Sequence, residues 1–371
     1  MEIYLISIVL IFVFGLIQLC YKNLKVFNKL LSLILYVFLV VTIGLRWETG
    51  VDWNNYLNNF ENTNNFETAL INIIGGYEIG YGVLVLIFKK ISNNYSFFLL
   101  IHALFFYWGI FRMGKKYSPY FFISILFYYC TNLGMVGSNR QLIAIVICLW
   151  GLDFVFEKKI IKFVLTIIFA SLFHTSAFLF IIYYFFDRDF NKLILLLFLF
   201  FFIIIGKTEL PSFLFSKFGG YFGELALSKT QIYSDSIVDN LKTANLSFFG
   251  LLKRIILFSI FTYTYNSLSP RLSYYKLLYN GYFFGIAIYF LFASSFLILV
   301  NRGALYFNIM ECCLISCQFI LLRNKPEQIF IFIILFFVSI GLLVQSISTY
   351  PDLFNPYKAL FYNTSFNREM Y

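Results

Sequence analysis

The chain has 371 residues, of which 61% are hydrophobic, 22% aromatic and only 12% charged, with a net charge of +10. Soluble domains carry about 25% charged residues, so a soluble enzyme or binding module is excluded and a polytopic membrane protein is indicated. The excess of Lys and Arg does not point to nucleic acid, because the lysines fall in short loops between apolar runs, which is the positive-inside pattern.

A membrane span needs roughly 20 apolar residues. In chain order, spans are expected at about 3–20, 28–45, 96–112, 118–133, 140–156, 192–206, 251–267, 275–299, 302–322 and 327–347. No small-residue cleavage site follows the first run, so it is expected to be a span and not a signal peptide. Two runs, 160–173 and 175–186, flank "FHTSA" and are short for a crossing. They are expected to cross a locally thin region or to be broken, as helices are where they line a cavity. The segment 78–90, "EIGYGVLVLIFKK", is shorter still and reads as a re-entrant or surface helix on the outer side. The expectation is an all-α fold with about 11–13 transmembrane helices, some broken or re-entrant, in one membrane domain over residues 1–371. No internal repeat is visible.

Charge sets the orientation. Lys22, Lys25 and Lys29 place the first loop inside, as do Arg112, Lys115, Lys116, Lys158, Lys159, Lys162, Arg188, Lys192, Arg271, Lys276, Arg323 and Lys325 for theirs. "GLRWETGVDWNNY", "GSNRQ", "FHTSA", "VNRGALYF" and a loop at about 207–250 then face outside. That loop carries four lysines and four acidic residues, a neutral balance that suits translocation.

The same rule isolates the cations on the wrong side: Arg46, Arg140, Lys253, Arg254, Arg302 and Lys358. A charge at a helix end near hydrocarbon is costly unless paired, and Arg forks match phosphate oxygens in pairs. The set indicates an anion such as a lipid phosphate or diphosphate. The competing reading is headgroup snorkelling, or pairing with Asp52, Glu78 and Glu311. Asp52 and Glu78 are each placed to act as general base toward a sugar hydroxyl, or to hold Arg46 or Arg140. Glu48 reads as a solvated loop charge.

Arg140 and Gln141 open a helix that Ser138 or Asn139 can cap, with a dipole favourable to anions. Arg302 and Tyr306 share a helix face. His174 can donate to phosphate or relay a proton, whereas His102, mid-helix among apolar residues, reads as structural. Six cysteines show no metal-ligand spacing, and Cys312, Cys313 and Cys317 read as buried thiols.

These segments resemble the EpsG-like family of membrane polysaccharide polymerases, which are related to the Wzy O-antigen and capsule polymerases. "LRWETGVDWNNY" is similar to its R-x-x-x-G-x-D-x-x-x-Y segment, through Arg46, Gly50, Asp52 and Tyr56. "YEIGYGVL" resembles E-P-G-[FY]-x-x-L, with Glu78 kept and Ile79 in place of proline. "NRQLIAI", "LFHTSAFL", "NRGALYF" and "NPYKALF" resemble its R-Q-x-x-A, F-H-x-S-A, R-x-x-x-Y-F and P-Y-K segments, in order.

The resemblance implies a GT-C-like polymerase and ligase architecture. It implies an enzyme of the bacterial inner membrane, with its site facing the periplasm or exterior, that joins undecaprenyl-diphosphate-linked oligosaccharides without a metal or other cofactor. These lipid-linked units are donor and acceptor, and a chain-length regulator and a flippase are further candidate partners. Asp52, Glu78 and His174 would be catalytic, Arg46, Arg140, Arg254 and Arg302 would hold diphosphate, and Tyr56, Gln141, Tyr306 and Lys358 would contact substrate. The loop at about 207–250, with Tyr221 and Tyr233, would form a lid over the sugars. Competing functions are a glycan ligase of the O-antigen ligase type and a lipid-linked oligosaccharide flippase. A flippase is expected to show repeats and deep central charges.

Overall fold

The computed structural model describes residues 1–21, 23–211, 213, 248–292, 300, 302–348 and 350–368. Among them are fifteen α-helices and no strand. They are α1 (Glu2–Cys20), α2 (Lys25–Gly44), α3 (Trp53–Asn62), α4 (Phe66–Ile74), α5 (Ile79–Ile91), α6 (Tyr95–Tyr117), α7 (Phe121–Asn132), α8 (Asn139–Phe156) and α9 (Ile160–Ser171). After a 3₁₀ run over Thr175–Phe185 come α10 (Lys192–Gly206), α11 (Phe248–Leu268), α12 (Tyr275–Phe292), α13 (Leu305–Asn308), α14 (Met310–Gln318) and α15 (Lys325–Ile347).

The all-α, polytopic expectation holds. Among the described residues, five helices are long and apolar enough to cross a membrane: α1, α2, α6, α8 and α15. The expected span at 302–322 is divided into α13 and α14, with Ile309 between them still close to helical geometry. Two helices were not foreseen, α3 and α4. "WNNYLNNFEN" is too polar and too rich in Asn to look helical. Its apolar residues Trp53, Tyr56 and Phe60 nevertheless fall on one buried face. Asn65 caps α4 reciprocally with Thr68.

The described residues divide into two compact units, Met1–Phe178 with Cys312–Tyr371, and Leu179–Glu311. In the first, α7 packs between α1 and α15, while α6 packs on α2 and α8, and α8 on α9. Apolar on all sides, α7 is buried over Phe121–Cys130, as such a helix must be. The outer helices instead present bulky apolar side chains outward, among them Val26, Phe330 and Phe337. Water would penalise such a surface and hydrocarbon does not. In the second unit, α12 packs on α10, α11 and α13, and Asn280 Nδ2 donates to the Phe186 and Arg188 carbonyls at 2.7 and 2.8 Å, closing the end of the 3₁₀ run. Cys312, Cys313 and Cys317 are buried, as expected.

The ends of the first unit differ in charge. At one end Lys325 Nζ donates to Cys20 O (2.8 Å), Gln328 reaches the Tyr120 hydroxyl, and Arg112, Lys116 and Tyr117 gather on Asp153. Arg46, Glu78, Arg140 and His174 lie at the other. Both ends of α5 lie there too, since Glu78 pairs with Arg140 and Tyr95 contacts Asn139. With 13 residues α5 spans about 20 Å, and it leaves and returns at one end, as expected for a segment that does not cross. By contrast α9 leaves the lysine-rich end beside α8 and brings Thr175 to the level of Arg140.

Candidate functional site

The site is assembled from three loops. Residues 46–52 follow α2, residues 136–140 lead into α8, and residues 350–359 follow α15. Val51 N–H donates to Val136 O (3.1 Å), and Gly50 N–H to Leu353 O (3.1 Å). Trp47 N–H donates to Lys358 O (2.9 Å), and Arg46 forms an isolated bridge with Ala359. This interlock needs two glycines. Gly50 has φ +103°, and a Cβ there would lie 2.4 Å from Val136 O. Gly137 has φ +110°, and its Cβ would lie 2.1 Å from Val51 O. Gly137→Ala is expected to cost about 1–3 kcal/mol from backbone conformation alone, before the clash is counted. Thermal unfolding of the detergent-purified protein should show a lowered midpoint and lost activity. An unchanged midpoint would refute the interlock.

Arg46 is the buried pin of this assembly, 2% exposed. Its Nε donates to Thr49 O (3.1 Å), Nη1 to Ile43 O (2.7 Å) and Nη2 to Asn139 Oδ1 (3.2 Å). Burial pushes its pKa down from the ordinary value. With three acceptors inside the fold, Arg46 is placed to hold α2 to the start of α8, and no carboxylate is among its recorded partners. Asn139 is thereby committed to Arg46, and neither it nor Ser138 caps α8 through its side chain.

Arg140 sits in a different network. Its Nη1 donates to Glu78 Oε2 (2.6 Å) and Gly76 O (3.3 Å), and its Nε to the Tyr56 hydroxyl (3.1 Å). The guanidinium lies 4.7 Å from the Tyr77 ring centroid. Glu78 is held on both oxygens, since its Oε1 accepts from Thr175 N–H (3.3 Å). Burial pushes the Tyr56 pKa up in spite of Arg140, so the hydroxyl keeps its proton. The "FHTSA" turn therefore docks directly on Glu78. Gly80 N–H donates to Leu172 O (2.8 Å) beside it. His174, mostly buried, has Nδ1 2.6 Å from Ser176 Oγ, which explains the serine of the motif as the group that orients the ring.

Asp52 differs from Glu78. It is exposed, adopts the left-handed region at φ +58°, and lies one residue before α3 without capping it. No hydrogen bond to its carboxylate is recorded among the described residues. It lines a cavity of about 360 Å³, and its charge reaches Tyr56 and Tyr77.

Two residues lie elsewhere than expected. Glu48 is not a solvated loop charge: Lys358 Nζ donates to its Oε2 at 2.7 Å, and the two side chains are 5% and 17% exposed. Lys358 reaches back over 310 positions for this pair, because its backbone is already bound to Trp47 and Thr49. His102 is buried, with Nε2 2.9 Å from Asn139 O, in the structural role expected. Gln141 is buried beside Arg140 in sequence.

The remaining candidates belong to the second unit. Lys253 Nζ donates to Glu311 Oε1 (2.8 Å). Arg254 donates to Gly250 O (2.9 Å), and its guanidinium carbon stands 3.7 Å from the Tyr289 ring centroid. Arg302 is half-buried, and Tyr306 is fully buried near Phe180. Tyr221 and Tyr233 lie outside the described residues. Sequence reasoning missed Tyr77, Thr175 and Ser176, although each neighbours a residue it singled out.

Among the described residues, no group of three or more His, Cys, Asp and Glu is arranged to hold a metal ion. No curated protein and no solved structure matches the chain. Residues 29–359, which contain all three loops of the site, match the model of the EpsG family. The chain is a member of the EpsG family.

Proposed function

We propose that this chain is a polysaccharide polymerase of the outer face of the bacterial cytoplasmic membrane, acting on lipid-diphosphate-linked repeat units. Family membership supports a membrane protein of polysaccharide biosynthesis. One observation supports the finer reading: an exposed carboxylate without a recorded partner, Asp52, stands in a cavity, while the neighbouring carboxylate Glu78 is held on both oxygens.

In this reading the acceptor hydroxyl attacks the donor's anomeric carbon. A C–O bond forms, the bond to the leaving diphosphate breaks, and the hydroxyl proton passes to Asp52. Glu78 holds Arg140, and Arg140, with the imidazole of His174, faces charge building on the diphosphate. Arg254 is pre-oriented by Tyr289 as a separate anion grip of the second unit, with Lys253 neutralised by Glu311.

Deletion of the gene is the decisive test. Surface glycan should collapse to single repeat units. Unchanged chain length would refute the reading, and full-length polymer that is no longer attached would indicate a ligase.

Orientation is tested by labelling. In a Cys20→Ser background, Asn93→Cys should react with an impermeant thiol reagent in spheroplasts, and Lys159→Cys should not. The opposite pattern would place the site inside.

A further inference from the structure

The cavity holding Asp52 contains a second carboxylate, Asp352, contributed by the turn after α15. Asn54, Asn55 and Tyr350 also line it, as does Trp53. The indole N–H of Trp53 is buried and has no acceptor among the described residues. Carboxylates only accept hydrogen bonds, amides both donate and accept, and aromatic faces offer apolar surface. Together these groups suit a ring bearing several hydroxyls. The cavity volume of about 360 Å³ lies at the small end of ligand pockets.

Among the described residues, no Lys or Arg lines this cavity. Two of the cations around it are ion-paired elsewhere. Lys358 is bound by Glu48 and Arg140 by Glu78. Arg368, whose charge reaches Glu48 and Asp352, is buried and does not line the cavity; its Nη2 donates to Pro356 O (2.5 Å), and its Nε and Nη1 have no hydrogen-bond partner among the described residues. A ligand carboxylate entering here would meet two carboxylates at contact range without a lining cation, whereas a ligand ammonium or hydroxyl would meet acceptors.

We propose that this cavity is the subsite for the terminal sugar of the acceptor, and that Asp352 makes it select neutral and amino sugars against acidic ones. The acceptor role rests on the polymerase reading; the charge selection does not.

The test uses the purified full chain in detergent and three methyl glycosides: a hexoside, a 2-amino-2-deoxyhexoside and a hexuronoside. Binding is read by saturation-transfer NMR. The amino sugar and the hexoside should bind, with the uronoside weaker by about tenfold or more, the size of one charge-assisted hydrogen bond. Asp352→Asn should weaken the preference for the amino sugar, leaving only the share due to Asp52, and Asp352→Lys should shift it toward the uronoside. Asp352 is exposed, so both variants should elute like the native protein. Equal or tighter uronoside binding by the native chain, or ratios unchanged in both variants, would overturn the proposal. Should those ratios stay flat while gene deletion still abolishes polymer, the subsite is wrong and the polymerase reading stands. Should charge selection be measured while deletion leaves glycan length unchanged, the sugar site stands and the polymerase reading fails.

Discussion

Asp52→Asn should slow repeat-unit joining by about a hundred- to ten-thousand-fold, the range for loss of an acid–base group, while lipid-linked units still bind. The amide keeps the shape and the hydrogen bonding of Asp52 but cannot take a proton at neutral pH. The Asp52 carboxylate accepts no hydrogen bond among the described residues, and the backbone bond from Tyr56 N–H to Asp52 O is untouched by the substitution, so the protein should insert and elute normally. Glu78→Gln should behave differently. It leaves a neutral oxygen for Arg140 and loses a partly buried ion pair at 2.6 Å, so it should lower the unfolding midpoint as well as the rate. Radiolabelled repeat-unit polymerisation in membranes, read beside thermal unfolding, separates the two. Normal polymerisation by Asp52→Asn with a dead but stable Glu78→Gln protein would reverse the roles.

Arg140→Lys should lower turnover by about a hundred- to a thousand-fold, as removal of one charge-stabilising donor does. Lysine keeps the charge but has one nitrogen. It cannot reach Glu78, the Gly76 carbonyl and the Tyr56 hydroxyl together, nor lie flat against Tyr77. Near-native polymerisation by Arg140→Lys would show that charge alone matters there. Arg46→Lys is the useful contrast. Its defect should fall on folding, because Arg46 binds only the fold and is 2% exposed.

The sequence marked most helices because long apolar runs leave little choice of structure in hydrocarbon. It missed α3 and α4 because their helicity comes from one buried face and a cap, which composition hides. Charge orientation foresaw that α5 returns to its starting end. It also gathered Arg46, Glu78 and Arg140 at one end, yet could not separate their tasks. Arg46 and Arg140 are alike as wrong-side cations. Only the neighbours of each, carbonyls and Asn139 for one and Glu78 and Tyr56 for the other, distinguish a pin from a candidate substrate residue. Glu48 was misread for the same reason, since its partner Lys358 lies 310 positions away.

That separation bears on how the protein is made. The turn carrying Arg46 to Asp52 emerges early in synthesis, and its partners Leu353, Lys358 and Ala359 come last. Until then Glu48 has no counter-ion and the Gly50 N–H has no acceptor. Loop closure over so many residues is slow compared with local helix formation. A nascent chain can therefore be inserted throughout yet still lack a finished site, which keeps half-made copies from acting on substrate. A chain ending at residue 349 should accumulate in the membrane without activity, and supplying residues 350–371 as a separate peptide should restore part of it. Activity in the truncated chain alone would show that the early turn holds its shape unaided.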